Sequence, residues 1–115
     1  MSLSRRMALI FVGILTTGVA FAQDYPTRPV TFIVPFAAGG GVDSIMRRMS
    51  DDLHKALGQP VIVEPRAGAN GAIGSAVVAR AAPDGYTLLA TASSTFSLNP
   101  NLMNDPPYDQ LKDLV

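Results

Sequence analysis

Hydrophobic and polar positions change their period several times along this chain, and each change marks an element. Val30-Thr31-Phe32-Ile33-Val34 is almost continuously apolar, rich in β-branched and aromatic residues, as in a strand covered on both faces. Two prolines in Tyr25-Pro26-Thr27-Arg28-Pro29 keep its approach extended, and Pro35 ends it. From about Asp43 to Leu57 the period becomes helical. Ile45, Met49, Leu53 and Leu57 recur every fourth residue, Met46 and Ala56 widen the stripe, and Arg47, Arg48, Asp51, Asp52 and Lys55 lie off it. Gly58 suits the residue after a helix, and Pro60 prevents its continuation.

A second strand is predicted at Val61–Glu64, closed by Pro65, and a turn follows at Arg66–Gly71. Gly71–Ala81 reads as a helix of small residues, with Ile73, Val77 and Ala81 on one face. Pro83-Asp84-Gly85 is a turn, because proline fixes φ and glycine accepts the positive φ after it. Tyr86–Ala92 is the third strand, and Ser93-Ser94-Thr95 a hydroxyl-rich turn. Asn99-Pro100 and Pro106-Pro107-Tyr108-Asp109 read as further connecting turns.

The order β-α-β-α-β predicts an α/β fold with a doubly wound parallel sheet, its crossovers right-handed. Ligands of such sheets sit outside the carboxyl ends of the strands. Three polar turns fall there: Phe36–Asp43, Gly68–Gly71 and Thr91–Thr95.

The amino end changes the picture. Arg5 and Arg6 precede a nearly unbroken apolar run from Met7 to Phe21, and Ala20-Phe21-Ala22 offers a small-x-small cleavage site. Residues 1–22 therefore read as a secretory signal peptide. The run is shorter than the about 20 apolar residues of a spanning helix. Residues 23–115 remain, 93 in all, with seven basic and nine acidic side chains and a net charge of −2. No basic patch invites nucleic acid. Without cysteine there is neither a disulfide nor a thiol for a lipid anchor, so an apolar core must hold the exported domain. Leu111-Lys112-Asp113-Leu114-Val115 begins another element and stops, as in a fragment of a longer protein.

The candidate chemistry is that of a binder. Pro35-Phe36-Ala37-Ala38-Gly39-Gly40-Gly41-Val42-Asp43 joins strand to helix, and such a turn leaves unpaired amides at the positive end of a helix. Glycines let an anion approach those amides closely, which predicts a carboxylate site. The plainer alternative is an ordinary tight turn with Asp43 as helix N-cap; beside a ligand, Asp43 could instead take an amino group or a bridging water. Gly68-Ala69-Asn70-Gly71-Ala72-Ile73-Gly74 follows a strand as a dinucleotide fingerprint does, but its spacing is wrong and no carboxylate ends the next strand. Neither glycine turn holds a lysine for a phosphate loop, and no G-x-S-x-G is present. His54, the single histidine, has no partner for a metal and reads as a surface residue. No nucleophile–base pair, metal set or cofactor is implied.

Those same residues carry a family resemblance. Tyr25-Pro26, Arg28-Pro29 and Ile33–Asp43 resemble the amino-terminal region of Bug-type receptors, the extracytoplasmic solute receptors of tripartite tricarboxylate transporters. Leu57–Glu64, Gly68–Gly74, Ala82–Leu89, Asn99-Pro100, Pro107-Tyr108-Asp109 and Lys112-Asp113 continue the match in order, while Arg66-Ala67 departs from the usual asparagine-arginine-proline wording. The resemblance implies a type II periplasmic binding-protein-like fold, of which this chain is the parallel β-α-β-α-β half of lobe 1 with the second lobe missing. It implies a periplasmic monomer without a cofactor, holding a small carboxylate for the transporter's membrane subunits. The residues implied in binding are Phe36, Ala38, Gly39, Gly40, Gly41 and Asp43 of the first loop, Asn70 and Gly71 of the second, and Ser93 and Ser94 of the third. Because receptors of this kind are much longer than 93 residues, a truncated nonfunctional product or an exported α/β enzyme domain stands as the alternative.

Overall fold

The structure is a computed structural model that describes residues 24–114. The expected signal peptide lies outside the described residues. Three strands, β1 (Val30–Val34), β2 (Val61–Pro65) and β3 (Thr87–Leu89), form one parallel sheet in the order β2-β1-β3. Register runs from Val30 opposite Val61 to Val34 opposite Pro65, and from Thr31 opposite Thr87 to Ile33 opposite Leu89. The helices are α1 (Gly41–Leu57), α2 (Ala72–Ala79) and α3 (Ser93–Leu102), with a single 3₁₀ turn at Ala69–Gly71 ahead of α2. This is the doubly wound arrangement expected. Because the chain reverses its direction across the sheet after β2, right-handed crossovers send α1 and α2 to opposite faces.

β1 lies at the centre, and its continuous apolarity follows from cover on both sides: Val30, Ile33 and Val34 are all buried. Each such side chain contributes about 1.5–3 kcal/mol by leaving water. A second cluster gathers Ala72, Ala76 and Tyr108, with Ala79, Met103 and Leu114 packed around it. The segment after α3 thus folds back over α2. Past Asp109 it makes one turn, in which the amides of Lys112 and Asp113 both reach the Asp109 carbonyl.

Several expectations need correction. α1 starts at Gly41, with Gly40 in extended conformation as its N-cap, so Asp43 stands inside the first turn and is not the cap. The third strand shortens to three residues because β1 pairs it only through Thr31–Ile33. Ser93–Thr95 is no free turn and Asn99-Pro100 no linker: both belong to α3. Serine favours helix starts, and Pro100 sits near the end of α3, where few bonds remain to be lost. The Asn101 side chain supports that last turn by donating to the Ser97 carbonyl.

The apolar stripes also differ. In α1 it is Met46 that is buried, whereas Ile45 is 58% and Met49 47% exposed. α1 packs over β2, an edge strand of the described sheet, so the outer flank of its stripe has no strand beneath it. In α2 the bulky Ile73 and Val77 face outward, and Ala72, Ser75 and Ala76 are buried instead. Small residues win that face because the helix lies close to the sheet: a Cβ on Gly74 would stand 2.7 Å from Pro35 Cβ and 2.8 Å from the Arg66 carbonyl oxygen.

At the opposite, amino edge of the sheet, the lead-in is pinned. The Tyr25 and Tyr86 rings meet edge-on with centroids 5.2 Å apart, and the Arg28 guanidinium lies 3.9 Å above the Tyr86 ring while pairing with Asp84 at 2.7 Å. The Thr27 amide donates to the Tyr86 hydroxyl at 2.9 Å, and the Tyr25 hydroxyl donates to the Gly85 carbonyl.

Candidate functional site

A parallel sheet puts all its carboxyl ends on one side, so the turns after β1, β2 and β3 share an edge. Each leads directly into a helix or a helical turn.

The turn after β1 is closed by the Gly40 amide, which donates to the Ala37 carbonyl at 3.1 Å, with Gly39 at φ +81°. Phe36 is half-buried, and Ala38 and Gly39 are exposed. Asp43 is only 1% exposed, and its Oδ2 accepts from the Gly39 amide at 2.8 Å and from Arg47 Nε at 2.9 Å. It therefore ties the glycine bend to the first turn of α1. Its Oδ1 is buried without a partner among the described residues. Of the bend's amides, those of Gly39 and Gly40 are engaged, while those of Gly41, Val42 and Asp43 find no acceptor among the described residues.

The Arg47 hydrogen bond, followed by that from Gly39, holds the Asp43 carboxyl below its ordinary range against the opposing effect of burial. A folded-state value below the unfolded one contributes stability above the ordinary carboxylate range, about pH 4, and loses it as pH falls through the lowered folded value. Asp43→Asn is therefore expected to flatten the acid limb of the stability curve. Urea midpoints compared at about pH 6 and about pH 3 test this. A wild-type advantage that stays constant between them would refute it.

The turn after β2 winds through positive φ at Gly68, Ala69, Asn70 and Gly71 in succession. Such angles are ordinary for glycine and costly for alanine, so the surroundings must hold them. Asn99 does so: its Nδ2 donates to the Asn70 carbonyl at 3.0 Å, and its Oδ1 accepts from Asn70 Nδ2 at 2.8 Å. Gly71 is buried at the start of α2, where a Cβ would stand 3.0 Å from Thr95 Cγ2 and 3.4 Å from both Thr95 Oγ1 and Pro35 Cβ.

The third turn is the start of α3. Ser93 and Ser94 are exposed, and neither amide finds an acceptor among the described residues. The first turn of α3 contains no acidic residue and no side-chain cap. Thr95 is 1% exposed, and its Oγ1 has no hydrogen-bond partner among the described residues.

Thus Gly71 touches the α3 start through Thr95 and the β1 end through Pro35, and Asn70 is tied to α3 through Asn99. The glycine bend adjoins Pro35 in sequence. Sequence reasoning placed Thr95 in the third polar turn but missed Asn99 and Arg47. Arg47, four residues after Asp43, carried a helical ion-pair signal. Asn99 was hidden because α3 was read as turns. Two cavities, about 410 Å³ beside Tyr108 and Asp105 and about 480 Å³ beside β3 and Phe96, take in none of the ten expected binding residues. Ala38, Gly39, Gly41, Asn70, Ser93 and Ser94 are exposed, whereas Asp43 and Gly71 are buried.

The model of the "Tripartite tricarboxylate transporter family receptor", TctC, matches residues 45–115. Protein BugT of Bordetella pertussis is 44% identical over 119 aligned residues, which cover all of this chain and 36% of that protein. Among solved structures, the periplasmic binding protein BugD superposes with a TM-score of 0.70 at 42% identity, over 77% of this chain and 29% of that one. MatC from Rhodopseudomonas palustris with bound malate gives 0.72 at 39% identity, over 77% and 30%. The chain spans about a third of the length of the curated relatives it matches. In sequence and in fold alike, the chain belongs to the tripartite tricarboxylate transporter family receptors, a family of solute-binding proteins and not of enzymes.

Proposed function

We propose that this chain is the amino-terminal part of a periplasmic receptor that captures a small carboxylate for the membrane subunits of a tripartite tricarboxylate transporter. The observation that carries the reading is the set of helix starts opening on one sheet edge, with the amides of Gly41, Val42, Ser93 and Ser94 unclaimed among the described residues. Oriented amides at helix starts favour anions. The malate in MatC supports a carboxylate as the anion. Phe36, Ala38, Gly40 and Gly41 line the first loop of the proposed site, Asn70 and Gly71 the second, and Ser93 and Ser94 the third. Gly39 and Asp43 shape the first loop by bonding to each other. Residues 1–22 serve as the export signal, supported by Arg5, Arg6, the apolar run and the Ala20-Phe21-Ala22 site.

A site on one open edge excludes little water, so affinity for the chain by itself is weak, with Kd of about 1 mM or higher. Protein recovered from a periplasmic extract, beginning at Gln23, is expected to show saturable amide shifts with malate and acetate in a ¹⁵N titration. Silence toward a varied panel of acids would remove the reading.

A further inference from the structure

We infer that Asn70-Gly71 is a deamidation site that the fold keeps latched, with Asn99 as the latch, and that modification there irreversibly releases α3. The inference is independent of the receptor reading.

Asn70-Gly71 is the only asparagine–glycine step in the sequence. Such a step is chemically labile, because glycine has no side chain to shield its nitrogen from the neighbouring amide. The Gly71 nitrogen gives its proton to solvent base and bonds to Asn70 Cγ. The Cγ–Nδ2 bond breaks, and Nδ2 leaves as ammonia with a proton from solvent. Water then opens the five-membered imide at either carbonyl, leaving aspartate or isoaspartate. One water is consumed and one ammonia released, with no change of oxidation state. Asn70 is exposed, so water reaches it.

Three observations hold the step back in the folded chain. Asn70 has φ +50° and ψ +40°, which turns the Gly71 nitrogen nearly opposite to the Asn70 Cβ, whereas ring closure needs the two eclipsed. The Gly71 amide already donates to the Gly68 carbonyl at 3.0 Å. Asn99, only 2% exposed, fixes both halves of Asn70: its Oδ1 accepts from Nδ2 at 2.8 Å, and its Nδ2 donates to the carbonyl at 3.0 Å. The rotation that closes the ring swings that carbonyl away, so the latch opens first. Afterwards it cannot re-form. A carboxylate at position 70 only accepts, so whichever way the Asn99 amide turns, one contact sets oxygen against oxygen.

In the test, the full chain is incubated in mildly alkaline buffer and Asn70 is followed by peptide mass spectrometry, which reads the exchange of NH for O. A reaction through an opened state tracks the population of that state. The folded wild type is expected to react at least about tenfold more slowly than the same chain in urea, and N99A about tenfold faster than the folded wild type. Met46→Ala, a core truncation on α1 that leaves the latch intact, is expected to react more slowly than N99A. N70D is expected to unfold at lower urea concentration than the wild type. Equal rates for the folded and urea-treated wild type would overturn the latched site. N99A reacting no faster than Met46→Ala would overturn Asn99 as the latch, and an unchanged N70D midpoint would overturn the release of α3. Should N99A fail to fold, Asn99→Asp, which keeps the acceptor and loses the donor, takes its place with the same expectation.

Discussion

Gly74→Ala is expected to destabilise the chain by about 3 kcal/mol, a large share of the 5–15 kcal/mol by which small domains are stable. The new methyl would stand 2.7 Å from Pro35 Cβ, 2.8 Å from Pro35 Cα and 2.8 Å from the Arg66 carbonyl oxygen. Two of those three atoms are backbone, held at the end of β1 and just after β2, so no rotamer change relieves the clash. α2 would have to lift from the sheet, and Ala72 and Ala76 would lose part of their packing. Gly41→Ala is the control: a Cβ there meets nothing within 4 Å, and alanine in a helix is favoured over glycine by about 1 kcal/mol. Urea denaturation of both variants checks the pair. A Gly74→Ala midpoint equal to the wild type would show that the close approach of α2 is not real.

Asn99→Ala is expected to cost about 2 kcal/mol, the loss of two hydrogen bonds at a buried amide. Asn99 is only 2% exposed, and it is the side chain that joins α3 to the turn at Ala69–Gly71. That turn carries φ of +45° at Ala69 and +50° at Asn70, conformations that relax once their support is gone. Asn70→Ala removes the other half of the pair. The double variant should then lose clearly less than the sum of the single losses, with a coupling of about 1 kcal/mol or more. Additive losses would mean that the two amides act separately.

The parallel sheet was legible because its signals are local. An unbroken apolar run at Val30–Val34, a short one at Val61–Glu64 and glycine-rich turns after them each point to one structure. α3 was not legible. Ser93-Ser94-Thr95 and Asn99-Pro100 are turn-forming by composition, and a helix of weak amphipathic pattern gives no period to detect. Its stability comes from tertiary partners, Asn70 for Asn99 and Gly71 for Thr95, that no local window contains. Helix faces failed for a related reason. Periodicity finds which residues of α2 share a side, but Ile73 and Val77 yield the inside to Ala72 and Ala76 because sheet distance decides the matter. At the site, the glycine bend was found by motif. Its occupation by Asp43 was not, since the sequence permits that carboxylate either to cap or to meet a ligand.

The stitching of Tyr25, Thr27 and Arg28 to Asp84, Gly85 and Tyr86 joins positions as many as 60 apart in sequence. A polypeptide emerging amino end first holds those three side chains idle until the later tyrosine arrives, and β1 waits equally for β3. Native structure in this region is thus completed only after Tyr86 has emerged, and distant pairings of that kind make it slow.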